Sequence, residues 1–376
     1  MLPHPHLRVG SDQTLFLMLL TTFATAAIFV LTYAGVLLGR IPGLRLDRSG
    51  IALSGAALML AIGTLIWNLW NSSWIEAGQV QVLILGGTGS IGAPVVRALV
   101  GRGHHVIALA RSDSSATKAA SLGANPLGGD IAAAERWLPA LPPLDAVVHL
   151  ACDFGSDMVD VDRRLLDGLL PHLAAQPNQA TFIYTGGCWL FGATGDGVAN
   201  EQAPFRPLPA FAWMVPHLQR VLESEGVAPI VIHPAMVYEP GTGVFAQFVA
   251  EARKRRAIRV VGGEHVRWPL VHREDLANLY VLALERGTSR TSYIGAAIPG
   301  LPVGRIARAI AQRFGLRDHA PQIVSADAIA AELGDWARGR AMDQQLSGEK
   351  ARRELGWKPV HLDPEGEIAA LATDDD

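Results

Sequence analysis

The sequence has few cysteines and little excess charge of either sign. Cys152 and Cys188 are the only cysteines in 376 residues, so a disulfide framework and an all-cysteine zinc site are excluded, and a reducing compartment is the simplest interpretation. The net charge of −3 gives no reason to expect nucleic acid as a partner. Internal repeats and low-complexity tracts are also missing, and the acidic end Asp374–Asp376 is predicted to be a solvated tail.

Long apolar runs are concentrated in the first seventy residues and explain the high mean hydropathy of +0.23. Thr14–Leu38 and Ile51–Trp70 contain about 25 and about 20 residues without a charge, and each is long enough to cross ~30 Å of hydrocarbon. The pattern predicts a tail over 1–13, two transmembrane helices within 14–71 and a linker over 72–78. Two buried helices of a globular domain are the alternative.

A glycine-rich segment follows an apolar strand at Gln79–Gly92, QVQVLILGGTGSIG. Its glycines have the G-x-x-G-x-x-G spacing that a strand–tight turn–helix unit requires. A side chain would block the turn, hold a pyrophosphate off the backbone or push the helix off the strand. The phosphate then lies at the helix N-terminus, where free N–H groups favour an anion. The segment therefore predicts dinucleotide binding, and an ordinary glycine turn is the alternative. The predicted contacts are Gly86, Gly89, Ser90, Ile91 and Gly92.

The stretch Tyr33–Leu65, YAGVLLGRIPGLRLDRSGIALSGAALMLAIGTL, resembles the start of arsenite/citrate-type anion permeases. Such permeases need many more helices, so the resemblance implies a membrane anchor or a mis-joined reading frame, not a transporter. Arg40, Arg45 and Arg48 place the connecting loop in the cytoplasm by the positive-inside rule, which puts both termini outside. A nicotinamide dinucleotide site has no use there. We therefore expect a two-helix, multi-pass membrane protein with its catalytic domain in the cytoplasm.

From Gln79 onward, apolar strands alternate with helical stretches, which is typical of a doubly wound parallel sheet. We predict one Rossmann-type α/β domain of the NAD(P)-binding kind over 79–376. The predicted strands are Val80–Leu85, His104–Ala110, Asn125–Ile131, Asp145–Leu150, Ala180–Thr185 and Ile230–Val237. Helices are predicted over Ala93–Val100, within Trp268–Leu284 with Glu274 and Asp275 in the first turn, and within Ser347–Pro359.

Residues at the ends of these strands are predicted to bind the rest of the cofactor. Arg111 stands where an acidic residue binds a ribose 2′-hydroxyl and an arginine accommodates a 2′-phosphate, so we predict NADP, with NAD as the alternative. Asp130 is expected to accept from the adenine amino group, and Ala151 is small enough to let the cofactor lie close. The full set is Arg111, Ser112, Asp130, Ile131, Ala151, His217 and Pro234.

Several blocks of sequence together carry a family resemblance. They are GGTGSIG at Gly86–Gly92, VVHLA at Val147–Ala151, FIYTGG at Phe182–Gly187, HPAMVYEP at His233–Pro240, VHREDLA at Val271–Ala277 and SGEKARRELGWKP at Ser347–Pro359. Over residues 79–360 the chain resembles the extended short-chain dehydrogenases, the nucleotide-sugar epimerase/dehydratase group. The segment GGCWLFG at Gly186–Gly192 is similar to atypical members. The resemblance implies a nicotinamide cofactor, a small-molecule substrate over the carboxyl ends of the strands, and a homodimer.

The catalytic positions of that family are changed here. The family uses a Ser or Thr after the fifth strand and a Tyr-x-x-x-Lys on the next helix, where Tyr is the general acid/base and Lys lowers its pKa. In this sequence the Ser position falls on Gly187, and the Tyr and Lys positions fall on Trp213 and His217. An indole N–H only donates. We therefore predict His217 and Thr185 as the catalytic residues.

Alternatives remain open for these side chains. His217 either moves a proton near neutral pH or only faces the cofactor. Tyr184 replaces Thr185 as the source of the hydroxyl if the strand presents its other face, because neighbouring side chains in a strand point in opposite directions. Cys152 and Cys188 form either a thiol pair near the nicotinamide or two small buried residues.

Two segments, about 240–265 and about 295–360, are predicted to cover the substrate. The basic cluster Arg253–Arg256 with Arg259 either binds a substrate pyrophosphate or an anionic lipid surface, or forms a solvated helix face. The sequence thus predicts a membrane-anchored, NADP-dependent oxidoreductase or nucleotide-sugar epimerase/dehydratase-like enzyme, acting on a small carbonyl, alcohol or nucleotide sugar. A catalytically silent NADP(H)-binding sensor or scaffold is the alternative, favoured by the changed catalytic positions.

Overall fold

The computed structural model describes residues 79–152, 157–255, 257–316 and 320–372, with Arg255 described in its backbone only. All of them belong to Gln79–Asp376, one of the two compact units into which the chain divides. Several predictions fall outside the described residues. They concern Thr14–Leu38, Ile51–Trp70, the resemblance over Tyr33–Leu65, the linker 72–78, Arg256 and the acidic end Asp374–Asp376.

Strands of the described residues form one large and two small sheets. They are β1 Gln81–Leu85, β2 His105–Ala110, β3 Asn125–Gly128, β4 Ala146–His149, β5 Thr181–Thr185, β6 Ala228–Pro234, β7 Met236–Glu239, β8 Thr242–Gly243, β9 Arg259–Val261, β10 Arg267–His272, β11 Thr291–Gly295, β12 Ile298–Pro302 and β13 Gln322–Val324. The large sheet is parallel throughout, in the order β11-β6-β5-β4-β1-β2-β3. The predicted doubly wound parallel sheet is confirmed. Its order reverses between β1 and β4, where such sheets open a ligand crevice.

Helices of the described residues pack against these sheets and against one another. They are α1 Gly92–Gly101, α2 Asp113–Ser121, α3 Met158–Ala174, α4 Met214–Glu223, α5 Ala246–Arg255, α6 Arg273–Arg286, α7 Val303–Arg313, α8 Ala326–Leu333, α9 Glu349–Leu355 and α10 Pro364–Ala369. Short 3₁₀ segments lie at Ile131–Arg136, Leu138–Ala140, Cys188–Leu190, Pro209–Phe211 and Asp335–Ala341. The inner strands read as continuous apolar runs because both of their faces are buried; Val82, Leu83, Ile84 and Leu85 are all 0% exposed.

The predicted sixth strand, Ile230–Val237, is two strands in the structure. β6 ends at Pro234 in the large sheet, and β7 begins at Met236 in a smaller sheet of order β12-β10-β7-β8. Only Ala235 separates them, and its N–H donates to Gly295 O at 3.1 Å. Likewise, two residues connect β11 of the large sheet to β12 of the small one. The largely apolar run Ile230–Val237 concealed the change of sheet, since both strands are buried.

The described helices are short. The longest, α3, has 17 residues and exposes Asp160, Arg163 and Asp167, whereas a membrane span needs about 20 predominantly apolar residues. Across the described ranges, no helix has the length and apolar composition needed to cross a bilayer. This finding overturns the predicted multi-pass membrane localisation and leaves the predicted transmembrane hairpin unsupported.

Candidate functional site

The glycine-rich turn after β1 passes close to the chain that follows β4. Gly86 adopts a φ of +83°, and a Cβ there would lie 2.8 Å from the backbone N of Ala151. A Cβ on Gly92 would lie 2.0 Å from Gly86 O. α1 therefore begins against the turn only because both residues lack side chains. A Cβ on Gly89 would meet only Gly86 O, at 3.3 Å, which leaves the outer side of this residue open.

The start of α1 presents backbone donors that the protein does not use. Within the described residues, the N–H groups of Ser90 and Ile91 form no hydrogen bond. The helix also has no side-chain cap and no acidic residue in its first turn. Free N–H groups and the positive end of the helix dipole favour a phosphate. The turn and the helix start thus fit the pyrophosphate of a dinucleotide.

Two cations accompany this turn. Arg111, at the end of β2, is exposed, and its guanidinium forms no ion pair or hydrogen bond in the described part of the chain. Lys118, on α2, donates from Nζ to Thr88 O across 2.7 Å, which holds a second cation over the turn. Ser112 caps α2 by accepting from Ser115 N. Sequence reasoning missed Lys118, because the spacing on a polar helix does not show which side faces the turn.

The other predicted cofactor residues lie at the same edge of the sheet. Asp130 caps the segment that begins at Ile131: its Oδ1 accepts from Ala132 N at 2.9 Å. Its second carboxylate oxygen remains for an external donor such as an adenine amino group. Ala151 follows β4 against Gly86, and Pro234 is the last residue of β6.

His217, on α4, contacts a carboxylate that sequence reasoning missed. Its Nδ1 lies 2.6 Å from Oδ2 of Asp162 on α3. Because a carboxylate accepts, we assign the proton of neutral His217 to Nδ1. Its Nε2 forms no hydrogen bond within the described residues. The imidazole is therefore oriented from one side and available on the other, as a general acid or base requires.

Asp162 is buried and accepts from two further side chains. Nε2 of His149 lies 2.8 Å from its Oδ1, and the hydroxyl of Tyr184 lies 2.9 Å from its Oδ2. Burial alone would raise the pKa of this carboxyl, but hydrogen bonds from His149, His217 and Tyr184 outweigh it and hold the pKa well below the ordinary range. Burial, together with Asp162, raises the pKa of Tyr184 far above its ordinary value. Asp162 is thus an anion and Tyr184 a neutral donor.

A signal for Asp162 was present in the sequence. The apolar face of α3 buries Val161, Leu165 and Leu169, and Asp162 falls on that face at helical spacing. A carboxylate at such a position needs partners. The partners themselves were not readable, because β4, β5, α3 and α4 meet only in the folded chain.

The family model described as the NAD dependent epimerase/dehydratase family matches residues 82–295. The chain belongs to this family. A nicotinamide dinucleotide cofactor is thereby supported, while the choice of NADP over NAD stays a prediction.

Relatives of the chain share most of its described length. An uncharacterized protein of Schizosaccharomyces pombe is 29% identical over 290 residues, which cover 75% of this chain and 96% of that protein. A 3-diazoavenalumate denitrifying reductase of Streptomyces is 28% identical over 310 residues, covering 75% and 97%. The crystal structure of human epimerase family protein SDR39U1 with NADPH superposes with a TM-score of 0.64 at 18% identity, covering 77% and 98%, which shows a shared fold. The predicted resemblance of Tyr33–Leu65 to anion permeases has no support in these comparisons.

The epimerase/dehydratase family's hydroxyl position is empty here, and Thr185 points elsewhere. The ideal Cβ of Gly187 meets no atom within 4 Å, so the family's Ser position is open space. Oγ1 of Thr185 lies 2.7 Å from the hydroxyl of buried Tyr280 on α6, whereas its neighbour Tyr184 faces Asp162. The two side chains lie on opposite faces of the sheet, as strand alternation requires.

Trp213 occupies the family's tyrosine position, one helical turn before His217. The two rings meet edge to face, with centroids 5.1 Å apart. The indole Nε1 of Trp213 is buried and has no hydrogen-bond partner among the described residues. Leaving a buried donor unpaired costs about 1–3 kcal/mol, which an oxygen atom of a ligand would offset. Trp213 can therefore donate to a ligand but cannot replace the family's phenol in proton transfer.

The two cysteines lie in different environments. Cys152 is exposed and Cys188 is buried. Burial raises the pKa of the Cys188 thiol to about 12, so this thiol stays protonated and unreactive at physiological pH.

His233, at the end of β6, is buried without a hydrogen bond. Its ring lies against Phe191 at a centroid distance of 5.0 Å, and neither ring nitrogen has a hydrogen-bond partner of normal geometry in the described residues. Burial lowers the pKa of His233 to about 4, although the nearby Gly187 backbone favours the charged form. A Cβ on Gly186 would come within 2.4 Å of Nδ1, so Gly186 makes room for this neutral ring.

A cluster of His272, His361 and Glu367 has the donor set for a metal ion. Its ligand atoms all lie within 4.8 Å of one another. However, Nδ1 of His272 accepts from the backbone N–H of Glu274 at 3.3 Å, so in neutral His272 the proton is on Nε2, 4.0 Å from the Glu367 carboxylate. Metal binding would require this helix cap to break. In the structure, the cluster joins α10 to the start of α6 as a set of polar contacts.

The predicted basic cluster is divided among other contacts. Arg259 lies 2.7 Å from Glu251 and 2.6 Å from Glu332, and Arg253 lies 5.5 Å from the ring of Phe314. Arg256 is outside the described residues. The charge of Arg259 is thus compensated within the protein, so it is not a free site for a pyrophosphate or a lipid surface.

Proposed function

We propose that the protein is an NADP(H)-dependent oxidoreductase acting on a carbonyl or alcohol substrate, in which His217 moves the proton. The observation that carries this proposal is the 2.6 Å contact between Nδ1 of His217 and Oδ2 of Asp162. The carboxylate fixes the imidazole, so that Nε2 is oriented to give a proton to a substrate oxygen or take one from it. Thr185 has no place in this proposal, because its hydroxyl is bonded to Tyr280.

The residues that would hold the cofactor are those of the glycine turn, the start of α1 and the cations beside them. A bound nicotinamide dinucleotide supplies or accepts the hydride. Arg111 and Lys118 favour the form that carries a 2′-phosphate, because the protein leaves no carboxylate paired with either in its described part. The indole N–H of Trp213 is a further donor for the substrate oxygen.

Two observations support reduction of a carbonyl in particular. The Streptomyces relative is named a reductase, and a His–Asp pair supplies the single proton that a carbonyl reduction needs.

The second candidate is a silent NADP(H)-binding sensor or scaffold. It is favoured by the open position at Gly187 and by the missing phenol at Trp213.

The test is NADPH oxidation by residues 1–376 with a panel of aldehydes and ketones. We expect turnover in the wild type, and a loss of roughly 10²–10⁴-fold in kcat for His217→Gln, the range of general acid catalysis. NADPH binding, measured by the shift in Tm, should be unchanged in that variant. Arg220→Gln, on the exposed side of the same helix, is the matched control. NADPH binding without turnover of any substrate by the wild type would favour the silent binder.

A further inference from the structure

Arg340, in the Asp335–Ala341 segment, carries a charge without a counterion. Its guanidinium is partly buried and lies 5.3 Å from the centroid of the Trp336 ring. It forms no hydrogen bond or ion pair with the residues that the structure describes. Burial lowers its pKa, which the more distant Glu251 opposes. The N–H donors of a guanidinium without a counterion are available to bind an anion.

Other arginines of the same region are paired, which makes Arg340 an exception. Arg259 is bound by Glu251 and Glu332, Arg267 by Asp343, and Arg338 by Asp327 and Asp335. Within described residues 257–372, every arginine except Arg340 donates to a carboxylate or a backbone carbonyl. These donors are Arg259, Arg267, Arg273, Arg286, Arg290, Arg305, Arg308, Arg313, Arg338, Arg352 and Arg353.

Aromatic rings connect Arg340 with the segments that contain the family's Ser and Tyr positions. The ring centroid of Trp336 lies 6.3 Å from that of Trp189, with the planes 29° apart, and Trp189 lies 5.6 Å from Phe211. Trp189 follows the open Gly187 position by two residues, and Phe211 precedes Trp213 by two. A Cβ on Gly339 would come within 2.4 Å of the Trp189 ring. The backbone beside Arg340 therefore lies directly against this ring.

We propose that Trp189, Trp336 and Arg340 form a subsite for an aromatic carboxylate, with the rings contacting the aromatic body and the guanidinium binding its carboxylate. Planar rings stack on tryptophan, and a guanidinium pairs with a carboxylate through two parallel hydrogen bonds. The inference deepens the proposed function and rests on it only in treating this ligand as the substrate that presents its carbonyl to His217.

The charge of the subsite selects a carboxylate over a diphosphate. A single guanidinium balances the single charge of a carboxylate. A nucleotide diphosphate carries about two charges and needs a second cation, yet the neighbouring Arg259 is already bound by two glutamates. A phosphate ligand would therefore remain partly uncompensated at this place.

Equilibrium binding without NADPH tests the subsite. Benzoate, cinnamate and 2-naphthoate, each with its neutral amide, are titrated into the full chain by isothermal calorimetry, with UDP-glucose as the diphosphate probe. We expect at least one acid to bind roughly 10-fold or more tighter than its amide, a preference of about 1.4 kcal/mol. Arg340→Gln should abolish that preference, and Arg340→Lys should retain part of it because the charge remains. Arg338→Gln, two residues away and paired with aspartates, should leave it unchanged.

Three results would overturn the proposal: acids and amides that bind equally, an equal effect of Arg338→Gln, or UDP-glucose binding that needs Arg340 while no acid binds. Equal Tm values for Arg340→Gln, Arg340→Lys and wild type would show that a loss of binding is not caused by misfolding. His217→Gln separates the two proposals, because it should retain acid binding. Acid binding with no turnover in the wild type would reject the proposed function and keep the subsite.

Discussion

The proposed cofactor end and the proposed substrate end of the crevice are built in different ways. At the cofactor end, the backbone of one continuous segment would hold the pyrophosphate, with Gly86 and Gly92 providing the close approach. At the proposed substrate end, side chains come from separate elements: Asp162 on α3 contacts His217 on α4, and the proposed subsite adds Arg340 from the 3₁₀ segment Asp335–Ala341. A site made by one stretch of backbone can be recognised as a sequence motif. A site made by side chains that are distant in the sequence cannot.

The largest effect on cofactor binding is expected at the backbone-built end. Gly92→Ala puts a Cβ 2.0 Å from Gly86 O, so α1 must move away from the turn, at about 1–3 kcal/mol in the free energy of unfolding. Because the pyrophosphate would bind to this geometry, we expect the NADPH-induced shift in Tm to disappear.

Gly101, in the same helix, is the control. Its Cβ would meet no atom within 4 Å, so Gly101→Ala should stabilise the protein by about 0.5–1 kcal/mol or leave it unchanged. Wild-type NADPH affinity in Gly92→Ala would contradict the idea that backbone geometry makes this end of the crevice.

The second effect is at the side-chain-built end. Asp162→Asn removes the charge that accepts from His149, Tyr184 and His217. We expect a loss of about 2–4 kcal/mol in unfolding free energy, since each bond to a charged group contributes about 1.5–3 kcal/mol, and a loss of kcat of roughly 10²-fold or more. Chemical denaturation and steady-state kinetics measure the two effects.

Asp167→Asn, on the exposed side of α3, is the matched control. Asp167 pairs with Arg163 and Arg220 at the surface, where such pairs contribute about 0–1 kcal/mol. If both asparagine variants behaved alike, the buried network would not be what orients His217.

The contrast explains how much of the molecule was predictable. The first five strands, the glycine turn and the helix that begins with Glu274 and Asp275 in its first turn follow from local patterns, and the structure contains them within a few residues. The side-chain network was not predictable beyond His217, because periodicity shows that Asp162 is on a buried face but not what it faces. Strand alternation left either Thr185 or Tyr184 as the source of a catalytic hydroxyl. Only the structure shows that Thr185 lies beside Tyr280 and Tyr184 beside Asp162.

The third prediction concerns pH. The pKa of His233 is about 4 in the folded protein against about 6.5 when unfolded, so between these values the unfolded chain binds more protons. Stability contributed by neutral His233 is therefore complete above pH 6.5 and is lost as the pH falls toward 4, by about 3 kcal/mol at most. His233→Leu should flatten this part of the unfolding free energy profile, whereas exposed His105→Gln should not.

The smallest effect is expected in the choice of cofactor. Arg111→Glu should weaken NADPH by roughly 10–100-fold and NADH by much less, because only NADPH carries the 2′-phosphate that an arginine accommodates. Lys118→Gln should give a weaker effect in the same direction, since its Nζ also bonds Thr88 O. Fluorescence titration with both cofactors measures the ratio, and equal weakening would contradict the role of these cations.

Only Ala235 connects β6 to β7, and only Ala296 and Ala297 connect β11 to β12. β6 and β11 are hydrogen-bonded neighbours in the large sheet, so both connections leave it at one edge, side by side. Linkers of one and two residues allow little change in backbone direction. Together the two linkers restrict rotation of the small sheet relative to the large one. We therefore expect a ligand to enter by local rearrangement of the segments predicted to cover the substrate, while the two sheets keep their mutual orientation.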